Sequence, residues 1–82
     1  MSGTIIIRRS PAGYLVESEP PMPVARKRFL GRSNRRFSRA VGFASRLASE
    51  LRMKLRDDTG RLTAEDCGAL LEAWALDKSK EN

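Results

Sequence analysis

The chain has 82 residues, 40% of them hydrophobic, and a formal net charge of +6. That length suits one small domain with a single core, and the apolar fraction is too high for a disordered chain. Histidine is absent and Cys67 is the only cysteine, which excludes an intramolecular disulfide and the usual histidine and thiolate metal sites. We therefore expect a protein that is not an enzyme and needs neither a cofactor nor a metal. The longest apolar run, residues 5–7, is too short to cross a membrane, and we expect a cytoplasmic protein.

The charge is distributed unevenly along the chain. Residues 1–56 hold 13 Lys or Arg and three acids, whereas residues 57–82 hold three Lys or Arg and seven acids. A strongly cationic body is thus followed by an acidic C-terminal quarter. Such an imbalance points to a polyanionic partner for the cationic part.

The first 18 residues predict a β-hairpin. Residues 4–9 contain Thr and a run of Ile, which favour a strand. Residues 10–13, Ser-Pro-Ala-Gly, place proline and glycine at the second and fourth positions of a type I turn. Residues 14–18 are the return strand, with Tyr14 on the core face.

A third strand is predicted at residues 24–30, after a proline-rich connector that cannot enter a sheet interior. Side chains alternate between the two faces of a strand. Phe29 should therefore anchor this strand to the core. Arg26 and Arg28 should stand side by side on the open face of the sheet.

Two helices complete the predicted elements. The first, about residues 35–55, begins after Ser33 or Asn34 as N-cap. Its apolar stripe at helical spacing consists of Phe37, Val41, Ala44, Ala48, Leu51 and Leu55. The second begins after Thr63 as N-cap and ends near Leu76, and its stripe consists of Cys67, Leu70, Leu71 and Trp74.

The predicted fold class is therefore α+β, in the order β-β-β-α-α. A three-stranded antiparallel sheet packs on the long helix, and a short C-terminal helix is added. Residues 1–77 form a single small domain, and residues 78–82 form a disordered tail.

A dense group of cations lies near the middle of the chain. Seven of the 14 residues 26–39 are basic and none is acidic. These like charges repel one another, so they favour contact with a polyanion, and nucleic acid is the commonest polyanion. Arginine outnumbers lysine, and its planar fork suits bidentate contacts to phosphate or guanine. The predicted contact residues are Arg26, Lys27, Arg28, Arg32, Arg35, Arg36 and Arg39, with Arg8, Arg9 and Arg46 at the rim.

The leading functional prediction is a small basic nucleic-acid-binding protein, with duplex DNA favoured over RNA. The alternative is a small protein-binding regulator or inhibitor that docks its basic face on an acidic protein surface. Phe43, between the apolar stripe and the arginines, and Trp74, on the second helix, are candidates for partner contact. A homodimer through the C-terminal helix is a further possibility.

Three strands followed by one helix resemble the small sheet-type DNA-binding domains, namely the plant AP2 domain and the arm-binding domain of tyrosine integrases. The likeness covers about residues 4–52. The stretches that carry it are residues 7–9, 13–17 and 25–31 and the helix alanines Ala40, Ala44 and Ala48. In those families the open sheet face lies on DNA. The resemblance implies that Arg8 or Arg9, Arg26 and Arg28 contact bases and phosphates. The long proline-rich connector and the second helix depart from that pattern.

Overall fold

A computed structural model describes the backbone of residues 3–80 and the side chains through residue 77. Four strands form one sheet in the order β3-β2-β1-β4. The β1–β2 and β2–β3 pairs are antiparallel, and β4 runs parallel to β1. The elements are β1 (Thr4–Ser10), β2 (Gly13–Glu19), β3 (Lys27–Leu30), α1 (Asn34–Leu51), β4 (Lys54–Asp57) and α2 (Ala64–Lys80). The α+β class is confirmed, but the sheet is mixed and four-stranded rather than three-stranded and antiparallel.

The predicted hairpin is present as β1 and β2. Ile7 pairs with Val16, and the two-residue connection brings Ser10 opposite Gly13. A Cβ atom at Gly13 would collide with the carbonyl oxygen of Phe29 on the neighbouring strand β3. Glycine at this position therefore allows β2 and β3 to approach each other closely.

The fourth strand replaces the predicted end of the long helix. We expected α1 to continue to residue 55, but it ends at Leu51 because Arg52 adopts a left-handed conformation with φ of 55°. Buried Met53 and Leu55 then alternate with exposed Lys54 in an extended segment. The position of Leu55 fits both the apolar spacing of a helix and the alternation of a strand. For this reason the spacing alone wrongly predicted a helix at this residue.

The third strand is shorter than predicted. Residues Pro23–Ala25 form a 3-10 turn, and β3 starts only at Lys27. Arg26 therefore precedes the strand and does not stand beside Arg28 on the open sheet face, contrary to prediction. Proline suits the first position of this turn, because its fixed φ matches the turn and its missing N–H would have no partner there.

The core lies between one sheet face and the two helices. Ile5, Ile7 and Val16 on the sheet are fully buried against α1. Small side chains on α1 let the helix approach the strands closely, and those with no exposed surface are Ala40, Ala44 and Ala48. As predicted, Phe37 and Tyr14 are core residues, and their ring centroids are 5.2 Å apart.

The second helix packs against α1 and β4. Thr63 and Asp66 each accept a hydrogen bond from the other's backbone N–H, at 3.1 and 3.0 Å, which confirms the predicted N-terminus. The Trp74 indole N–H donates to Ser45 Oγ at 2.9 Å and joins the two helices. The backbone is helical through Lys80, past the predicted end at Leu76, and residues 81–82 of the predicted tail lie outside the described residues. Neither described helix is long and apolar enough to cross a membrane.

Candidate nucleic-acid interface

The seven cations of the central group lie on three consecutive segments: β3 with the residue before it, the following turn, and the first turns of α1. All seven are exposed. Among the side chains that the structure describes, none of the seven forms an ion pair. We call this group the basic side; it consists of Arg26, Lys27, Arg28, Arg32, Arg35, Arg36 and Arg39.

The edge strand β3 presents cations on both sides. Arg28 pairs with Leu15 on the open face, whereas Lys27 pairs with buried Val16 and faces the helices. Lys27 Nζ lies 5.4 Å from the ring centroid of Phe29 and 5.1 Å from that of Phe43. The two rings hold the ammonium group beside α1 by cation–π attraction. Phe43 is half-buried next to the basic side, and its predicted contact with a partner stays a prediction.

The N-terminal turns of α1 carry the other part of the basic side. The Ser33 hydroxyl accepts a hydrogen bond from the Arg36 N–H at 3.2 Å and caps the helix. Arg35 and Arg39 are one turn apart and lie on the same helix face. The first helical turn carries no acid to complement the positive end of the helix dipole. Cations there are unfavourable, and an approaching anion is attracted.

The open face of the sheet has a different character, because its arginines are paired. Arg8 Nε lies 2.6 Å from Glu17 Oε1, and Arg8 Nη2 donates to Glu19 Oε1 at 3.2 Å. Arg56 lies 3.9 Å from Glu19 and donates two hydrogen bonds to Asp58, at 2.9 and 3.2 Å. These side chains form a network of alternating charge across β2, β1 and β4.

This network has consequences for packing and for titration. Ile6 points to the open face between Glu17 and Arg56 in register, yet it is fully buried, so the network covers it. Hydrogen bonds from Arg56 lower the pKa of Asp58, and the same bonds raise the pKa of Arg56.

The predicted rim residues fall into two groups. Arg8 belongs to the paired network, and Arg46 pairs with Glu50 one turn along α1 at 3.1 Å. Arg9 is exposed and has no ion pair within the described residues. Of the arginines that the family resemblance assigns to the open face, Arg8 and Arg28 lie there, whereas strand alternation turns Arg9 to the other face.

Arg61 is a cation beside the basic side that the sequence did not indicate, because it lies in the acidic quarter. The Asp57 carboxylate accepts hydrogen bonds from the backbone N–H groups of Thr59, Arg61 and Leu62, at 3.0, 3.1 and 2.7 Å. These bonds fold the loop after β4 back toward β1 and β2. The Arg61 side chain then reaches Tyr14, 47 positions earlier in the chain, and no local pattern signals such a contact.

The second helix does not neutralise the basic side. No acid of α2 within the described residues forms an ion pair with an arginine. Trp74, a predicted partner contact, lines an apolar groove between α1 and α2 of about 650 Å³. Its indole N–H is bonded to Ser45, so Trp74 also joins the two helices, and its contact with a partner stays a prediction.

The described residues contain no group of three or more side chains suited to holding a metal ion. Burial raises the pKa of the Cys67 thiol, so the sulfur is an inert part of the core. Comparisons with protein-family models, with curated proteins and with solved structures find no match to this chain. Its charge distribution and side-chain geometry are therefore the basis for a functional proposal.

Proposed function

We propose that this chain is a nucleic-acid-binding protein whose basic side contacts backbone phosphates, with duplex DNA as the preferred ligand. One observation carries the proposal. Seven exposed cations lie on adjoining segments, and in the described part of the chain no carboxylate pairs with any of them.

The energetics favour this ligand class. Cations held close together repel, and they raise the local potential felt by an approaching anion. A polyphosphate backbone relieves the repulsion and releases its own condensed counterions, which supplies a large part of the binding free energy. Small anions relieve the repulsion without that cooperative gain.

The shape of the basic side also suits an extended ligand. Arg28 lies on the open face of the edge strand, Lys27 lies on the helix-facing side, and Arg35 and Arg39 follow along α1. Cations that extend around an edge strand and onto a helix can contact several phosphates of one strand or of both. Arginine contributes forked donors that bind phosphate in a bidentate manner.

A salt series tests the proposal. The affinity of the full chain for duplex DNA, single-stranded DNA and structured RNA should be measured by fluorescence anisotropy at several salt concentrations. If the basic side neutralises about five phosphates, the log–log slope for duplex DNA should be about −4.5. A slope flatter than about −2, or no binding at about 50 mM salt, contradicts the proposal.

The same cations would also attract an acidic protein surface. A pull-down with and without nuclease separates the two partners. Capture that disappears after nuclease treatment supports a nucleic-acid ligand. Capture that survives nuclease, combined with a flat salt slope for DNA, points to an acidic protein instead.

A further inference from the structure

Three arginines from distant parts of the chain surround one small cavity. It has a volume of about 310 Å³ and lies where the end of β1, the start of β2 and the loop after β4 meet. We call it the arginine pocket; it is lined by Arg9, Gly13, Tyr14, Arg32 and Arg61. No carboxylate is among these lining residues.

Two of the guanidinium groups are held in place by the fold. Arg32 Nη2 lies 3.4 Å from the carbonyl oxygen of Ser10 and 3.3 Å from that of Pro11. Arg61 Nη2 donates to Asn34 Oδ1 at 2.6 Å, and its guanidinium carbon lies 4.3 Å from the ring centroid of Phe37. A ligand that binds such fixed donors loses less side-chain entropy than one that must order them.

Several hydrogen-bond donors of the pocket have no acceptor among the described residues. Arg61 Nη1 donates to Tyr14 Oη at 2.9 Å, so the phenol oxygen acts as an acceptor in this bond. Tyr14 is only 5% exposed, and among the described residues its own O–H has no acceptor. Arg61 uses two of its five N–H groups in hydrogen bonds, and Arg9 makes no polar contact within the described residues. The nearby Asp57 carboxylate is occupied by backbone N–H groups of the loop.

We propose that the arginine pocket binds a terminal phosphate group, such as the phosphate monoester at the end of a nucleic-acid strand. A phosphate monoester carries a charge of about −1.5 to −2 at neutral pH and three strong acceptor oxygens. A backbone phosphodiester carries one charge, and the chain continues from it on both sides. A concave site with three guanidinium groups and a phenol O–H therefore matches the strand end better than the strand interior.

The identity of the ligand as a strand end rests on the proposed function, whereas the phosphate chemistry rests on the pocket alone. Short single-stranded oligonucleotides of one sequence should be compared with a 5′-phosphate, with a 3′-phosphate and with neither. One of the phosphorylated forms should bind about tenfold tighter than the form with hydroxyl ends, the factor that one charge-assisted hydrogen bond supplies. Equal affinity of all three forms, within about threefold, overturns the proposal.

Variants connect this preference to the pocket. Arg9→Gln removes one exposed cation that forms no hydrogen bond and no ion pair within the described residues, so the fold should be kept. Arg61→Gln removes the central donor but also the bonds to Tyr14 and Asn34, so its melting temperature must be measured as well. Lys54→Gln is the matched control, because it removes the same charge at the opposite end of β1. Loss of the phosphate preference in Arg9→Gln with retention in Lys54→Gln supports the pocket, and retention in both pocket variants contradicts it.

A titration with sodium phosphate against sodium chloride at equal ionic strength separates the pocket from the proposed function. Saturable NMR shifts of the Arg61 side-chain Nε–H and of the Tyr14 amide, absent in Arg9→Gln, support the phosphate site even if no oligonucleotide binds. In that case the pocket stands with a small phosphate compound as its ligand, and the proposed function fails. If oligonucleotides bind without a terminal-phosphate preference and these shifts are absent, the proposed function stands and the phosphate site in the arginine pocket fails.

Discussion

At the β4 edge of the sheet, Arg56 lies between the carboxylates of Glu19 and Asp58. At the β3 edge, Lys27 and Arg28 have no carboxylate partner among the side chains that the structure describes. Both edge strands have four residues and two cations. The acids on the β4 side are Glu19 of β2 and Asp58, the residue after β4. Although β2 is also the neighbour of β3, its carboxylates pair with Arg8 and Arg56 and not with Lys27 or Arg28.

The arginines on the two sides of the sheet therefore have different roles. On the β4 side, paired charges hold their hydrocarbon stems over Ile6, and their attraction for an external anion is reduced by the acids beside them. On the β3 side, the charges add nothing to folding through ion pairs, and their mutual repulsion opposes it. Ligand binding should therefore depend on the basic side, and stability should depend more on the paired network.

The largest expected effect comes from removing part of the basic side. The triple variant Arg35→Gln, Arg36→Gln and Arg39→Gln should lower affinity for duplex DNA at least about a hundredfold at low salt, because three phosphate contacts are lost. The salt slope should become less steep by about 2.7. The melting temperature should stay level or rise, because crowded like charges are removed. Fluorescence anisotropy and thermal unfolding measure the two effects.

The matched control removes three cations from the β4 side. The variant Arg52→Gln, Lys54→Gln and Arg56→Gln has the same net charge as the basic-side variant. Its DNA affinity should fall much less, and its stability should fall more. Equal losses of affinity in the two variants would show that only net charge matters and that the basic side has no special role.

A smaller effect is expected from releasing the paired arginines. Glu17→Gln with Glu19→Gln removes both partners of Arg8 and one partner of Arg56. DNA affinity should rise about tenfold at low salt, with a slope steeper by about 0.9 to 1.8 for one or two new phosphate contacts. The control is Glu72→Gln with Asp77→Asn on α2, which removes two acids that form no ion pair within the described residues. A rise of the same size in the control would mean that the ion pairs do not restrain Arg8 and Arg56.

Phe43 tests how the cation at the β3 edge is held. Phe43→Leu removes the aromatic pair with Phe29, whose centroids are 5.9 Å apart, and one of the two rings beneath Lys27. The free energy of unfolding in urea should fall by about 1 kcal/mol. DNA affinity should change less than about threefold, because the charge of the basic side is kept. A tenfold loss of affinity at unchanged stability would instead identify Phe43 as a ring that stacks on the ligand.

The smallest expected effect concerns acid stability on the β4 side. Because Arg56 lowers the folded-state pKa of Asp58, this carboxyl stabilises the fold above its ordinary pKa. That contribution is lost as pH falls below about 4 and passes through the lower folded pKa. The difference in unfolding free energy between the original chain and Arg56→Gln should therefore be largest near neutral pH. It should shrink at about pH 2.5 and in high salt, since both groups are exposed.

A difference in unfolding free energy that does not change with pH would contradict this prediction. It would show that Arg56→Gln acts through the packing of the Arg56 side chain over Ile6. An NMR titration of the Asp58 carboxyl is the direct check. In Arg56→Gln its pKa should move up toward the ordinary aspartate value.

The sequence by itself determined the features that depend on local chemistry. β-Branched and turn residues predicted the hairpin, N-cap residues predicted the starts of both helices, and apolar spacing identified Phe37 and Cys67 as core residues. The density of cations in residues 26–39 also follows from the sequence alone. In these cases the deciding neighbours lie within a few positions along the chain, where backbone geometry fixes their distance.

Only the tertiary structure decided which charges are paired and which distant residues meet. Leu55 entered a strand rather than a helix because β1 offered a free edge, which no local pattern reveals. Arg8 gained two carboxylates from the neighbouring strand, whereas Arg28 gained none. Arg61 reached Tyr14 because the Asp57 loop folds back. An ion pair or a pocket depends on separations of a few ångströms between groups far apart in the chain, and packing alone sets those separations.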